Sequence, residues 1–272
     1  MARWCCMGVV AGALGLAACE QKLPSASASS FSTAMKSVKS SSHYFASPVK
    51  EAADAIARGD TAPLAALSSA TLAAPGRDGM TLMWWAIGQG QPEAVRALVA
   101  RGVDPDAQIA EGLGSALHYA FVNQDTRWLA AMLDGGLSPD HQGEGQLPML
   151  QRAVMHGSFE HLRLLVARGA NVNLRDSIGG TALDKAVSTL QPEQALFLVD
   201  HGADVHAAKT NGDSVAWGVH LLMQRQPEGS AQRRAFETLR ERMVAQGVKW
   251  PPEPPPAWRA RQQGAPAAGG GR

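Results

Sequence analysis

The chain has 272 residues, a formal net charge of +1, and hydrophobic and charged fractions of 45% and 18%. Those proportions are globular rather than disordered or fibrous, and so small a charge argues against a nucleic-acid binder, which carries a strong basic excess. Length alone would allow one or two domains.

Residues 1–18 read as a targeting segment. Arg3 supplies a positive start, and Trp4 to Ala18 form an apolar run. That run is about fifteen residues, shorter than the roughly 20 that span a bilayer, and it suits a secretory leader. Its end, Leu16-Ala17-Ala18-Cys19, resembles the lipobox of bacterial lipoprotein precursors. The resemblance implies cleavage before Cys19, lipidation of Cys19 and attachment to a membrane through that lipid anchor. Glu20 stands where enteric lipoproteins kept at the inner membrane tend to have aspartate. An outer-membrane, periplasm-facing location in a bacterial envelope is therefore expected. An ordinary secretory leader that merely precedes a cysteine is the alternative. Cys5 and Cys6 would leave with the leader, which excludes a disulfide framework and cysteine or zinc-thiolate chemistry.

Residues 19–47 are dominated by serine and hold few apolar side chains. Such a segment cannot bury enough surface to offset its chain entropy. It is expected to be a disordered tether, reaching on the order of 30 Å.

From Pro48 to Trp250 the sequence repeats itself. An alanine closing one helical pattern recurs at Ala86, Ala120, Ala153 and Ala186, and a glycine after a second pattern recurs at Gly102, Gly136, Gly169 and Gly202. Both sets are spaced 34, 33 and 33 residues apart. The clearest unit runs from Ile178 to Val205. There Thr181, Leu183 and Ala186 occupy the Thr, Leu and Ala places of a Thr-Pro-Leu-His-x-Ala signature. With this period, the unit resembles the ankyrin repeat. The match is partial elsewhere: Trp84 takes the His place in the second repeat, Leu117, His118 and Ala120 fit in the third, and only Leu150 and Ala153 in the fourth. The resemblance implies an all-α solenoid of about six helix-turn-helix units with divergent ends, forming one elongated domain over residues 48–250. Where the signature Thr is present, its side chain can cap the first helix. Pro92 and Pro192 should open second helices, and the recurring glycines should end them in left-handed conformation.

The first unit is worn, with Ala55 standing 31 residues before Ala86, and the sixth, from Asn211, carries about twelve extra residues near Gln224 to Gln232. Residues 251–272 open Pro251-Pro-Glu-Pro-Pro-Pro256 and end in Gly and Ala. A disordered, polyproline-type tail is expected there.

No catalytic motif emerges. Gly112-Leu-Gly114 and Gly143-Glu-Gly145 lack the third glycine and preceding strand of a dinucleotide fingerprint. His156 with His161, and His201 with His206, cross repeat turns rather than sharing a helix, so solvated or backbone-bonded histidines are expected rather than metal ligands. The reading is non-enzymatic, with no metal and no cofactor. An enzyme with an unrecognised site in the insertion is the competing class.

What remains is a surface. Ankyrin stacks bind proteins through turn tips and the exposed side of the first helices. Carried over, those positions give Arg77, Asp78, Met80 and Gln89 in the second repeat, and Val122 and Asn123 in the third. They give Met155 and His156 in the fourth, Ser177, Ile178, Ser188 and Thr189 in the fifth, and Asn211 and Asp213 in the sixth. Trp85 is weighed both as an interface anchor and as inter-repeat packing; Trp84 and Trp217 are read as packing. Seven acidic residues against Arg127 alone between Gly102 and Gly145 suggest a partner with a basic patch facing the middle repeats, through Asp104 and Asp106 among others. The chain is read as a monomer that binds a protein partner. Similar bacterial ankyrin proteins include ones thought to act as immunity proteins, neutralising secreted toxins such as type VI lipases. A periplasmic scaffold or chaperone supporting an envelope enzyme is the alternative.

Overall fold

The computed structural model describes residues 40–108, 114–123, 125–143 and 146–264; the leader, Cys19, the rest of the tether and the end of the tail lie outside the described residues. Among these residues there are fourteen α-helices and no strand, only isolated bridges. None of the helices is long and apolar enough to cross a membrane.

The helices fall into stacked pairs. After a single turn, α1 (Ser41–Tyr44), the first inner helix is α2 (Val49–Ala57), followed by a 3-10 turn (Ala62–Ala66) and a short α3 (Ser69–Ala73) in place of an outer helix. The second pair is α4 (Leu82–Gly88) with α5 (Pro92–Ala100), the third α6 (Ala116–Val122) with α7 (Arg127–Asp134). The fourth is α8 (Met149–Met155) with α9 (Phe159–Ala167), the fifth α10 (Ala182–Ser188) with α11 (Pro192–Asp200). In the sixth, the extra residues lengthen both members, α12 (Val215–Arg225) and α13 (Ala231–Ala245). Inner helices pack on inner helices and outer on outer along the stack.

Local chemistry sets these boundaries. Thr81, Ser115, Thr181 and Ser214 each accept the backbone N–H three residues on, satisfying one of the orphan donors of an inner helix. Pro148 takes that place in the fourth repeat and caps nothing. Pro92 and Pro192 open outer helices, where the missing N–H costs no bond. Outer helices end at Gly102, Gly136, Gly169 and Gly202, all at positive φ, and at the first of these the Val103 N–H reaches back to the Leu98 carbonyl at 3.1 Å. The signature alanines Ala86, Ala120, Ala153 and Ala186 have no exposed surface. Their lack of bulk lets successive inner helices approach.

Two expectations are corrected. The tether does not run to residue 47: Phe45 and Ser41 are buried, and Ser41 is hydrogen-bonded to Asp54 of α2. The aromatic pair Tyr44-Phe45 gives that stretch the apolar surface its serines lack. Nor is all of the tail unstructured, because α14 (Pro255–Gly264) forms and packs on the sixth repeat.

Enlarging a signature alanine should break the close approach. Ala153→Leu is expected to lower stability by about 1–3 kcal/mol through overpacking, read as a lower denaturant midpoint with unchanged slope. An unchanged midpoint would show that the inner helices have room to spare.

Candidate protein-binding surface

The turn that precedes a unit is here called a finger. Fingers two, five and six close on the same bond: Gly76 N–H to Met80 O (2.8 Å), Asp176 N–H to Gly180 O (2.9 Å) and Lys209 N–H to Asp213 O (2.9 Å). Finger five is held from within by Asp176, whose Oδ1 accepts the Ile178 and Gly180 N–H groups. Neighbouring fingers are then tied together. Thr210 donates through both N–H and Oγ1 to Ile178 O, and Gln142 Nε2 donates to Arg175 O.

In repeats two to five the His place of the signature works as a staple to the next repeat, with a different side chain each time. Trp84 meets Tyr119 edge-on at 5.6 Å. His118 meets His156 at 5.6 Å, and Gln151 Nε2 donates to Gly180 O at 2.8 Å. Asp184 pairs with Lys209 at 3.0 Å, and Trp217 lies against His220, which faces Trp250. Burial pushes the Asp184 carboxyl above the usual carboxylate range, against the opposing pull of Lys209.

The predicted binding residues separate into two rows. Arg77, Asp78, Met80, Ser177, Ile178, Asn211 and Asp213 lie on fingers. Gln89, Val122, Asn123, Met155, His156, Ser188 and Thr189 lie at the far ends of the inner helices, about 10 Å away by a seven-residue helix length. Ile178 and Met155 are the most open apolar members, at 55% and 51% exposure. His156 is half-buried against Phe121, whereas Ser188 and Thr189 are exposed and turn their hydroxyls to Lys185 O.

Trp85 does not belong to either row. It is 4% exposed, donates Nε1–H to Ala53 O at 2.8 Å, and lies against Tyr44 and Phe45. The N-terminal segment covers it, so it anchors the first repeat rather than a partner. The same segment covers part of finger two. A Cβ on Gly76 would stand 2.3 Å from Tyr44 O, and His43 Nε2 lies 3.0 Å from Asp78.

The acidic middle repeats are also less available than the sequence suggests. Asp125 pairs with Arg127, and Asp134 with Arg168 from the following repeat. Asp106 is largely buried, taking Ser115 Oγ–H on one oxygen at 2.6 Å and Arg152 and His141 on the other at 3.1 and 3.3 Å. Those donors outweigh the burial that opposes ionisation, and they hold its carboxyl below the usual range. Asp104 is exposed, but its Oδ1 accepts the Asp106 N–H. Asp106 is thus a structural clasp, not a docking charge.

The histidine pairs hold no common site. His161 is fully buried, not solvated, and bonded to Ser158; His201 and His206 bond the Phe197 and Gln246 carbonyls. Among the described residues no group of three or more His, Cys, Asp or Glu side chains could hold a metal ion. Burial holds the His161 imidazole below its ordinary value, and burial followed by the nearby His118 does the same for His156.

One exposed residue escapes motif reading. Leu190, 40% exposed, has φ +60° at the turn between the fifth pair's helices, where the second and fourth repeats have Gly90 and Gly157 at φ +70° and +67°. The signal is a break in the glycine pattern. It lies one repeat beyond the Met155–Gly157 corner, to which Gln191 is tied through Val154 O at 2.8 Å. Concave ground between repeats includes a groove of about 420 Å³ lined by Pro75, Thr81, Met83, Trp84, Val103 and Ala116.

With this geometry in hand the comparisons are decisive for the repeat type. The family description "Ankyrin repeats (3 copies)" matches residues 117–209, and "Ankyrin repeat" matches residues 78–107. The repeats are ankyrin repeats. Among solved structures, the ankyrin repeat domain of Bcl-3 aligns with a TM-score of 0.54 at 25% identity, covering 72% of this chain and 86% of that one. Protein PhlB of Serratia liquefaciens is 39% identical over 137 residues, 49% of this chain and 60% of that protein. Ankyrin repeat and SOCS box protein 11 of Mus musculus is 34% identical over 113 residues, 42% of this chain and 34% of that protein. The chain therefore spans less than two thirds of the length of these curated relatives.

Two outcomes follow from the buried charges. The Asp106 pKa is depressed, so its contribution is present above the unfolded value near 4 and is lost as pH falls through the folded one. Asp106→Asn should cost on the order of 3 kcal/mol at pH 7, because Arg152 is left uncompensated, and should shrink the acid loss of stability in chemical denaturation. For His156 the folded pKa is also lowered, but the stabilising form is neutral. Its contribution is complete above the unfolded value of about 6.5 and declines as pH falls below it. His156→Gln should flatten the fall in melting temperature between pH 7.5 and 5; an unaltered slope would dissociate that residue from the acid response.

Proposed function

We propose that this ankyrin stack is a protein-binding module whose partner sits on repeats three to five, displayed at a bacterial envelope by a lipid on Cys19. The observation that carries the binding reading is the exposed corner of repeats four and five. Leu190 is a bulky side chain in a backbone conformation that costs an L-residue roughly 1–2 kcal/mol, at a place where sister repeats use glycine. Its neighbours in the stack, Met155 and His156, add an exposed thioether and a half-buried imidazole. Apolar anchors rimmed by the hydroxyls of Ser188 and Thr189 have the make-up of an interface core and its polar edge.

The envelope location rests on the lipobox-like end of the leader. Within that location the reading we favour is an immunity protein that occupies a secreted toxin, such as a lipase, by covering it. It rests on resemblance to bacterial ankyrin proteins of that kind and on the leader. The experiment is capture with the lipidated full chain as bait from envelopes of its own organism, followed by assay of what is bound. A secreted hydrolase inhibited on binding is the expected result; an uninhibited envelope enzyme would replace the immunity role by that of a scaffold.

Leu190→Gly separates binding from folding. The variant should be more stable than the parent, by about 1 kcal/mol, yet bind the captured partner at least tenfold more weakly. Equal affinity would remove Leu190 from the interface.

A further inference from the structure

The carbonyl at the tip of finger five, Ile178 O, is not left to solvent: Thr210 of finger six donates to it through N–H at 3.1 Å and Oγ1–H at 3.2 Å. The equivalent carbonyl on finger six belongs to Asn211, one repeat of 33 residues later. Among the described residues no seventh finger follows to cover it, since α13 leads through Val248 and Trp250 into Pro251. Arg259 of α14 takes that place, donating Nη1–H to Asn211 O at 2.6 Å. Beside it, α14 is pressed on the bare backbone of Gly212. A Cβ there would stand 2.9 Å from Trp258 Cε3 and 3.1 Å from Pro255 O, so only glycine admits the contact, and Gly212 also has φ +88°.

We propose that α14 is an intramolecular ligand of the last finger, standing in for the finger of a missing repeat and occupying the surface that Asn211 and Gly212 would otherwise offer to a partner. Isolated helices shorter than about 12–15 residues are marginal in water, and α14 has ten residues that include two prolines and a glycine. An ion pair joins its Arg261 to Glu253 just before the helix, both partly open to solvent. Docking therefore supplies the stability that the sequence of α14 lacks. At Asn211 and Gly212 the contact brings together an indole ring, a guanidinium and a proline carbonyl on a backbone kept bare of side chain. A segment held this way can be exchanged for another chain that brings an aromatic ring and a guanidinium to the same finger. Its docking does not depend on the partner reading above; only the exclusion of a partner from finger six rests on that reading.

The test uses the full chain. Amide hydrogen exchange in residues 257–262 should be at least tenfold faster in Trp258→Ala and in Gly212→Ala than in the parent, while amides of α10 and α11 are unchanged. A fluorescein-labelled peptide of residues 251–264 should then bind the Trp258→Ala chain, by anisotropy, at least tenfold more tightly than the parent chain, whose socket is filled. Unchanged exchange in both variants would overturn the docking. Equal peptide binding to the parent and to Trp258→Ala, or binding to neither, would overturn the occupied socket. Either result is obtained without any partner protein, and so leaves the partner reading to its own experiment.

Discussion

A pair of helices seven and nine residues long, as in repeats two, four and five, cannot persist alone in water. Each pair in this chain is held by its neighbours, and the contact that sets their spacing is one place on each inner helix, the fourth of the signature. Trp84, His118, Gln151, Asp184 and Trp217 occupy it, and the first four reach the following repeat. The stack therefore does not need one chemistry at this place. It needs a side chain long enough to cross to the next unit and able to find a partner there, whether a ring face, a carbonyl or an ammonium. Coupling of this nearest-neighbour kind makes stability a sum along the stack.

Among the described residues the first and last repeats have a neighbouring repeat on one side only, and the chain treats both in the same way. At the N-terminal end, Tyr44 and Phe45 close over Trp85 and the backbone of Gly76. At the C-terminal end, Trp258 and Arg259 close over Gly212 and Asn211. In each case an aromatic side chain from outside the repeats lies on a glycine of a finger. A glycine there exposes peptide backbone, which is costly to leave half-dry and easily covered by a flat ring.

This arrangement explains what could and could not be read from the sequence. The recurring alanines and glycines are local requirements, of close helix approach and left-handed backbone, and they predicted the inner and outer helices of repeats two to five and the lengthened sixth. The caps of Thr81 and Thr181 were legible for the same reason, whereas Ser115 and Ser214 show only in the structure that a serine hydroxyl fills the same place. Trp85 was not, because what covers it comes from 40 residues earlier in a stretch whose serines suggested a tether. Asp106 was not, because Arg152 and His141 arrive from the next repeat, 46 and 35 residues on. Counting charges along a segment cannot show which of them are already neutralised across the stack. The tail misled in a similar way: its prolines describe Pro251 to Pro256, whereas the helix depends on a socket formed by Gly212.

The open part of the surface follows from these closures. Fingers two and six are each partly taken by the chain's own flanks, and the acidic residues between them are largely spent on internal pairs. What is left uncovered in the described residues is concentrated on repeats four and five, where Met155, Ile178 and Leu190 are the exposed large apolar side chains. Of these, Leu190 carries the most information, since its backbone conformation would be relieved by the glycine that two sister repeats possess. Strain kept by a bulky leucine at an exposed turn, where two sister repeats have glycine, is the kind of feature that a contact outside the chain would explain.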